Sequence, residues 1–421
     1  MNEAGAVPLS PEDKAILDLE CESIVGHTCK IVVLGEGAPS VEELRTRIAE
    51  RIHLTPELTR KLGGTDAEPM WVPDAAFDLA AHVRPSSLPP APDREAELAE
   101  IATLFEERLD RDRPLWSIDV VPRPRALGGS VLVWRIHHAL ADGTTSMRFA
   151  RLMLWDHEEG TPETRPATGG EDPDHRRRRS HLGGLIDREF AGSIHRSPFD
   201  GRVGGRRRIA VAEVSLPELH DAAKKLAEAT LNDAVLAVVA GAMRRWAIHH
   251  GGSLGSVRVR VPVSLHHEGD EASNRDSFFS VRLPLHEADP VERLRIVNRE
   301  TAVRKERHDA EALEETVGRL SEVSPRLAKI IGRIESSPRE FAVSVSNVPG
   351  PRTPVSILGT PVEALHSIAE IGFRHGLRIS VVSLADRLFF GFNADPDLVP
   401  ELDAMAAGVE AEAAALVAAA G

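Results

Sequence analysis

The run His137-His138-Ala139-Leu140-Ala141-Asp142-Gly143 carries the clearest chemistry in this chain. A neutral imidazole, with an ordinary pKa of about 6.5, takes a proton from a hydroxyl or amine near neutral pH, so a histidine here suits a general base. Asp142 lies four residues beyond His138, where pairing with an arginine would orient the loop and hold the base in place. Gly143 permits a backbone conformation or close approach that a side chain would block. Ser130 to Ile136 reads as a strand and Thr144 to Leu154 as a helix, which puts the histidines where the strand ends and the chain turns. Neighbouring strand residues point to opposite faces, so only one of the two rings easily faces a given cleft. A second pair, His266-His267, lacks Asp-Gly at the same offset and reads as a polar loop after the strand Val257 to Val263.

Competing chemistries lack their signatures. The sequence has no Gly-x-Ser-x-Gly elbow, no phosphate loop ending in Lys-Ser/Thr and no His-Glu-x-x-His helix, and no metal is expected. Without a candidate nucleophile, direct attack by the acceptor in a ternary complex is more economical than a covalent enzyme intermediate.

The elements that must position this run divide the 421 residues into about two units. The expected division is an N-terminal domain over 1–160 that carries the motif, a linker or crossover over 161–208, and a C-terminal domain over 209–421. Lys30 to Leu34 reads as a strand. Ser40 to Ile52 reads as a helix with Ser40 and Glu43 as a capping box. Arg94 to Leu109 is helical, and Ser117 to Val121 is a strand. The linker is rich in Gly, Pro and charge, with basic clusters at Arg176–Arg179 and Arg206–Arg208 that suit a solvated segment or contact with phosphates. Helices are expected over Pro217 to Ala229, Leu231 to Ile248 and, as two charged segments, about 290–335. Strands are expected at Phe278 to Leu283, Phe341 to Ser346, Pro361 to Ile368, Leu377 to Ser383 and Arg387 to Asn393, before an Ala-rich closing helix. The class is α/β (α+β), in two layered domains.

Composition narrows the partners. Hydrophobic residues make up 42% and charged residues 28%, enough for a sizeable core. The net charge of −14 argues against nucleic acid as a partner. Two cysteines, Cys21 and Cys29, give no disulfide framework and no zinc spacing, which fits reduced thiols in a cytoplasmic protein. The N-terminus lacks a signal peptide pattern. The longest apolar run, Ala234 to Met243, falls short of the ~20 residues of a membrane span, so any membrane contact is expected to be peripheral.

The His137–Gly143 run resembles the active-site motif of the coenzyme A-dependent acyltransferase superfamily, which includes chloramphenicol acetyltransferase and peptide-synthetase condensation domains. The flanking chain resembles one branch, the bacterial wax ester synthase/diacylglycerol acyltransferases, over almost its whole length. The blocks are Leu9-Ser10-Pro11 with Asp13 and Glu20; Trp71-Val72, Phe77-Asp78-Leu79 and His82-Val83; Arg113-Pro114-Leu115-Trp116; Asn232-Asp233; Val261-Pro262-Val263-Ser264; Asn274-Arg275; and Ser346-Asn347-Val348-Pro349-Gly350-Pro351. Each is short, and their shared order carries the resemblance. The chain departs from the pattern in having no tyrosine, with Ser383-Leu384 where the family often has Ser-Tyr.

The resemblance implies a pseudo-dimer of two chloramphenicol-acetyltransferase-like domains with a tunnel between them and His138 as general base. Acyl-coenzyme A would enter as co-substrate from one side, with no permanently bound cofactor. Diacylglycerol or a long-chain alcohol would enter from the other, giving triacylglycerol or wax ester. His137, Asp142 and Gly143 complete the catalytic run, and Trp116, Asn232, Asp233 and Asn347 are candidate substrate contacts. Asn232-Asp233 equally suits a helix cap, and Trp116 a packing residue. The resemblance also allows peripheral contact with a membrane or lipid droplet. Two alternatives stand beside it: the same chemistry on a specialised-metabolite hydroxyl or amine, and a non-catalytic acyl-binding relative.

Overall fold

The computed structural model describes residues 5–421 apart from 66–67, 88–89, 125, 157–196, 253–254, 265–275 and 307–341. The Arg176–Arg179 cluster, the His266-His267 pair and the second of the two charged helices therefore lie outside the described residues.

The N-terminal half is built on β2 (His27–Leu34), β6 (Trp116–Pro122) and β7 (Ser130–His137), apolar runs that are almost wholly buried. β7 pairs antiparallel with both neighbours, and His27 stands opposite His137. α2 (Val41–Arg51) starts at the expected capping box: Ser40 Oγ accepts from the Glu43 amide, and Glu43 Oε2 accepts from the Ser40 amide at 2.8 Å. α4 (Arg94–Glu106) and α5 (Gly143–Met153) fall close to their predicted spans. A small sheet of β1 (Val7–Pro8), β3 (Arg60–Gly64) and β4 (Pro69–Pro73) was not evident from the sequence, because its strands are short, Pro- or Gly-containing and mostly half-exposed.

The C-terminal half opens with β8 (Arg208–Ser215), whose alternating burial is typical of a strand but follows directly on the basic cluster. A second sheet of six strands has the order β10-β9-β11-β14-β15-β8. Besides β8 it contains β9 (Ser256–Ser264), β10 (Asp276–Pro284), β11 (Val343–Val348), β14 (Leu377–Leu384) and β15 (Arg387–Ala394). α6 (Leu216–Ala227), α7 (Leu231–His249), α8 (Pro290–Glu306) and α9 (Leu402–Ala420) are helices of this half among the described residues. Alternation along β14 sends Leu377, Ile379 and Val381 into the core they share with α7 and α9. Arg378, Ser380, Val382 and Leu384 take the other face, and Val382 and Leu384 join the N-terminal core.

The sheets do not follow the sequence division at residue 208. β12 (Ser356–Ile357) and β13 (Thr360–Ala369) lie in the first sheet, whose order is β12-β13-β2-β7-β6-β5, with β5 (Val83–Pro85) at the far edge. β13 pairs antiparallel with β2 and also packs on β15. The approach is so close that a Cβ on Gly391 would lie 2.2 Å from the Ser367 carbonyl oxygen. A strand from one half thus completes the sheet of the other and fixes the two halves together.

Among the described residues, no single helix is long and apolar enough to cross a membrane. α6 and α7 pass that test only as a pair bent by 95°, and the apolar residues of α7 are buried in the second core.

Candidate active site

β7 ends at His137, whose ring is fully buried. Its Nδ1 accepts from the Ala139 amide at 3.1 Å, so Nε2 carries the proton and donates to Glu20 Oε1 at 2.9 Å. Glu20 in turn accepts from Arg111. Burial raises the pKa of Glu20, but the bonds from His137 and Arg111 outweigh it and hold the carboxyl below its ordinary value. Gly26 completes this bracket at φ +72°, and a Cβ there would sit 2.6 Å from His137 Nε2. With both ring nitrogens engaged, His137 props the turn and is not placed to take a substrate proton.

His138 is the second ring of the pair. Its amide is fixed to the Gly26 carbonyl at 3.0 Å, and the side chain is half-buried at the end of β7. Burial pushes its pKa down to about 4; the Arg378 guanidinium adds to the effect, and Asp142 opposes it. The ring is therefore neutral at pH 7 and can accept a proton. Arg378 comes from β14, so a residue of the other half acts electrostatically on this ring.

Asp142 is completely buried and is the N-cap of α5, with its Oδ1 accepting from the Thr145 amide at 2.6 Å. A cationic neighbour is Lys30 of β2, 1% exposed, with Nζ donating to Ser367 Oγ at 2.8 Å. Burial lowers the pKa of Lys30 to about 8, while Cys29 and Asp142 act to raise it. Asp142 thus caps α5 and lies near a buried lysine. Gly143 begins α5 against β11, and a Cβ on it would fall 2.8 Å from Val348 Cγ2. Close approach of the two halves requires glycine at this point.

Trp116 is 1% exposed, donates its indole N–H to the Leu58 carbonyl at 2.8 Å and stacks on His82. Asp233 forms a capping box with Thr230 and accepts from the Thr301 hydroxyl at 2.6 Å; the half-buried Asn232 precedes it. Asn347 follows Val343 and Val345 in strand alternation, so Val348 is the β11 residue that meets the motif. Arg207 is buried in an ion pair with Glu370 at 2.9 Å, while Arg206 pairs with Asp397 and Arg208 with Asp403, so this cluster joins parts of the protein together. A cleft of about 710 Å³, lined in part by Val33, Arg94, Arg123, Glu363, His366 and Arg387, has none of the His137–Gly143 residues in its wall.

Glu20, Lys30, Arg378 and Val348 are the functional neighbours that sequence reasoning missed or left without a role. Glu20 was the one with a signal, since it stands inside a recognised block.

The family described as the wax ester synthase/diacylglycerol acyltransferase catalytic domain matches residues 9–191, and its C-terminal domain matches residues 272–416. The chain is 30% identical to a probable diacylglycerol O-acyltransferase of Mycobacterium tuberculosis, over 89% of this chain and 85% of that one. The chain belongs to the wax ester synthase/diacylglycerol acyltransferase family.

As a member of that family it is an acyltransferase. It is also 28% identical to the O-acyltransferase WSD of Acinetobacter baylyi, over 96% of each protein. Its fold matches a wax ester synthase/diacylglycerol acyltransferase from Marinobacter aquaeolei with a TM-score of 0.74 at 23% identity, covering 99% of this chain and 100% of that one. The starter condensation domain of rhizomide synthetase, solved with C8-CoA and Leu-SNAC, matches with a TM-score of 0.58 at 14% identity, covering 99% and 95%. The two-sheet arrangement is thus the two-domain, chloramphenicol-acetyltransferase-like fold of these proteins.

Proposed function

We propose that this family member transfers the acyl group of an acyl-coenzyme A to the hydroxyl of diacylglycerol or a long-chain alcohol, with His138 as general base. The observation that carries this reading is the division of labour in the His pair. His137 has both nitrogens engaged, whereas His138 is neutral, half-buried and at the junction of the two halves.

Nδ1 of His138 is shut off from solvent, and the ring interacts with its own backbone carbonyl. A proton on Nδ1 leaves Nε2 to act as the base. Nε2 takes the acceptor's hydroxyl proton as the oxygen attacks the thioester carbonyl. The tetrahedral oxyanion then collapses, the C–S bond breaks, and the proton passes from His138 to the departing thiolate. No acyl-enzyme forms. The names of the relatives support diacylglycerol and long-chain alcohols as acceptors. Such acceptors reside in lipid, so the enzyme meets them by peripheral contact with a membrane or lipid droplet surface.

The test is thiol release from acyl-coenzyme A of several chain lengths, with diacylglycerol, hexadecanol and short alcohols as acceptors. Turnover with the first two is expected. Turnover confined to a small polar hydroxyl or amine would replace the acceptor class, and none with any acceptor would refute the enzyme reading.

A further inference from the structure

The end of α7 and the start of α9 bring His249, His250 and Glu401 together on the surface. His249 Nε2 lies 3.2 Å and His250 Nε2 3.8 Å from the same oxygen, Glu401 Oε2. All three candidate ligand atoms fall within 4.8 Å of one another. Tetrahedral zinc with bonds of about 2.0–2.1 Å sets its ligand atoms roughly 3.3–3.4 Å apart, close to the two spacings found here. We infer that His249, His250 and Glu401 form a binding site for a divalent d-block cation of the zinc type, with water completing the coordination.

The surroundings are those of a built site. His250 Nδ1 lies 2.8 Å from the Trp246 carbonyl. A carbonyl can only accept, so Nδ1 carries the proton, and in the neutral ring the lone pair is on Nε2, aimed at Glu401. The Trp246 ring stacks on His250 with centroids 4.4 Å apart. Its indole N–H also donates to the Pro400 carbonyl at 2.7 Å, fixing the residue next to Glu401. One tryptophan therefore orients ligands from two helices. Glu401 keeps a left-handed backbone at φ +52°, which a glycine would adopt without strain. Neither HExxH nor paired-cysteine spacing marks the site, because its ligands come from residues about 150 positions apart along the chain, joined by folding.

The ion would staple α7 to α9 in the second core, away from His138. His249 is 69% and Glu401 59% exposed, so replacing either leaves the packing intact. The full-length protein is stripped with chelator and titrated calorimetrically with ZnCl2, and with CoCl2 to read the visible absorption of four-coordinate cobalt. Binding of one ion is expected, with a rise in Tm. His249→Ala and Glu401→Gln should each weaken binding at least tenfold and abolish the rise, while thiol release by the metal-free variants matches that of the metal-free parent. Absence of zinc binding by the stripped protein would overturn the inference. So would variants that bind with parental stoichiometry and affinity, since the ion would then sit on other histidines.

Discussion

His137 donates from Nε2 to Oε1 of Glu20 over 2.9 Å, joining residues 117 positions apart. This bond gives the first histidine of the motif a structural role, and the proposed mechanism assigns proton transfer to the second. Removing the acceptor strands a buried N–H, at a cost of about 1–3 kcal/mol. Glu20→Ala should therefore lower the urea midpoint clearly, and Glu20→Gln, which retains an oxygen acceptor, should lower it less. Unchanged unfolding of Glu20→Ala would show that the bond contributes nothing.

The two histidines should fail differently when replaced. His138→Ala removes the base and should slow acyl transfer by about 10²–10⁴-fold while the protein melts near the parental temperature. His137→Leu should lose stability first. Full activity of a folded His138→Ala enzyme would refute the mechanism.

Gly143 and Val348 form a steric pair across the two halves. Gly143→Ala puts a methyl 2.8 Å from Val348 Cγ2, and such overpacking costs about 1–3 kcal/mol. The double variant Gly143→Ala/Val348→Ala should recover much of the lost activity and stability. Equal damage in the single and double variants would mean that the contact is not the cause.

Asparagine caps helices about as well as aspartate, so Asp142→Asn should preserve the start of α5. It removes the charge that supports the buried Lys30, however. The expected pattern is a destabilised Asp142→Asn protein, partly rescued by Lys30→Met, because a buried charge without its counter-charge is costly. Additive losses in the double variant, read from denaturant curves, would count against the coupling.

Acid should weaken the fold before most of His138 is protonated. Burial lowers the pKa of His138 to about 4 and of His366 to about 3, and lowers His27 and His82 as well, from an ordinary 6.5. Between those values and 6.5 the unfolded chain holds more protons than the folded one, so stability rises with pH. It is fully present above about pH 6.5 and declines as pH falls toward the folded values. The lowered carboxyl of Glu20 acts in the same direction at lower pH. Urea midpoints measured from about pH 8 down to about pH 4.5 should show a plateau and then a fall, with a shallower fall in His366→Leu. A flat profile would contradict this.

The sequence by itself determined the features whose causes are local. Ser40 and Glu43 announce the start of α2, short apolar runs mark β2 and β7, and the strand-turn-helix around His138 follows from Ile136, Asp142 and Gly143. The ordered blocks were sufficient to name the family. Tertiary structure alone decided which atoms meet. A strand pattern at Pro361 to Ile368 records that the residues alternate, but not that they hydrogen-bond to β2 of the other half. The pairing of Glu20 with His137 and the placing of Arg378 by His138 depend on contacts between distant segments. Periodicity reports which face of an element is apolar; which partner covers that face is settled only when the two sheets pack.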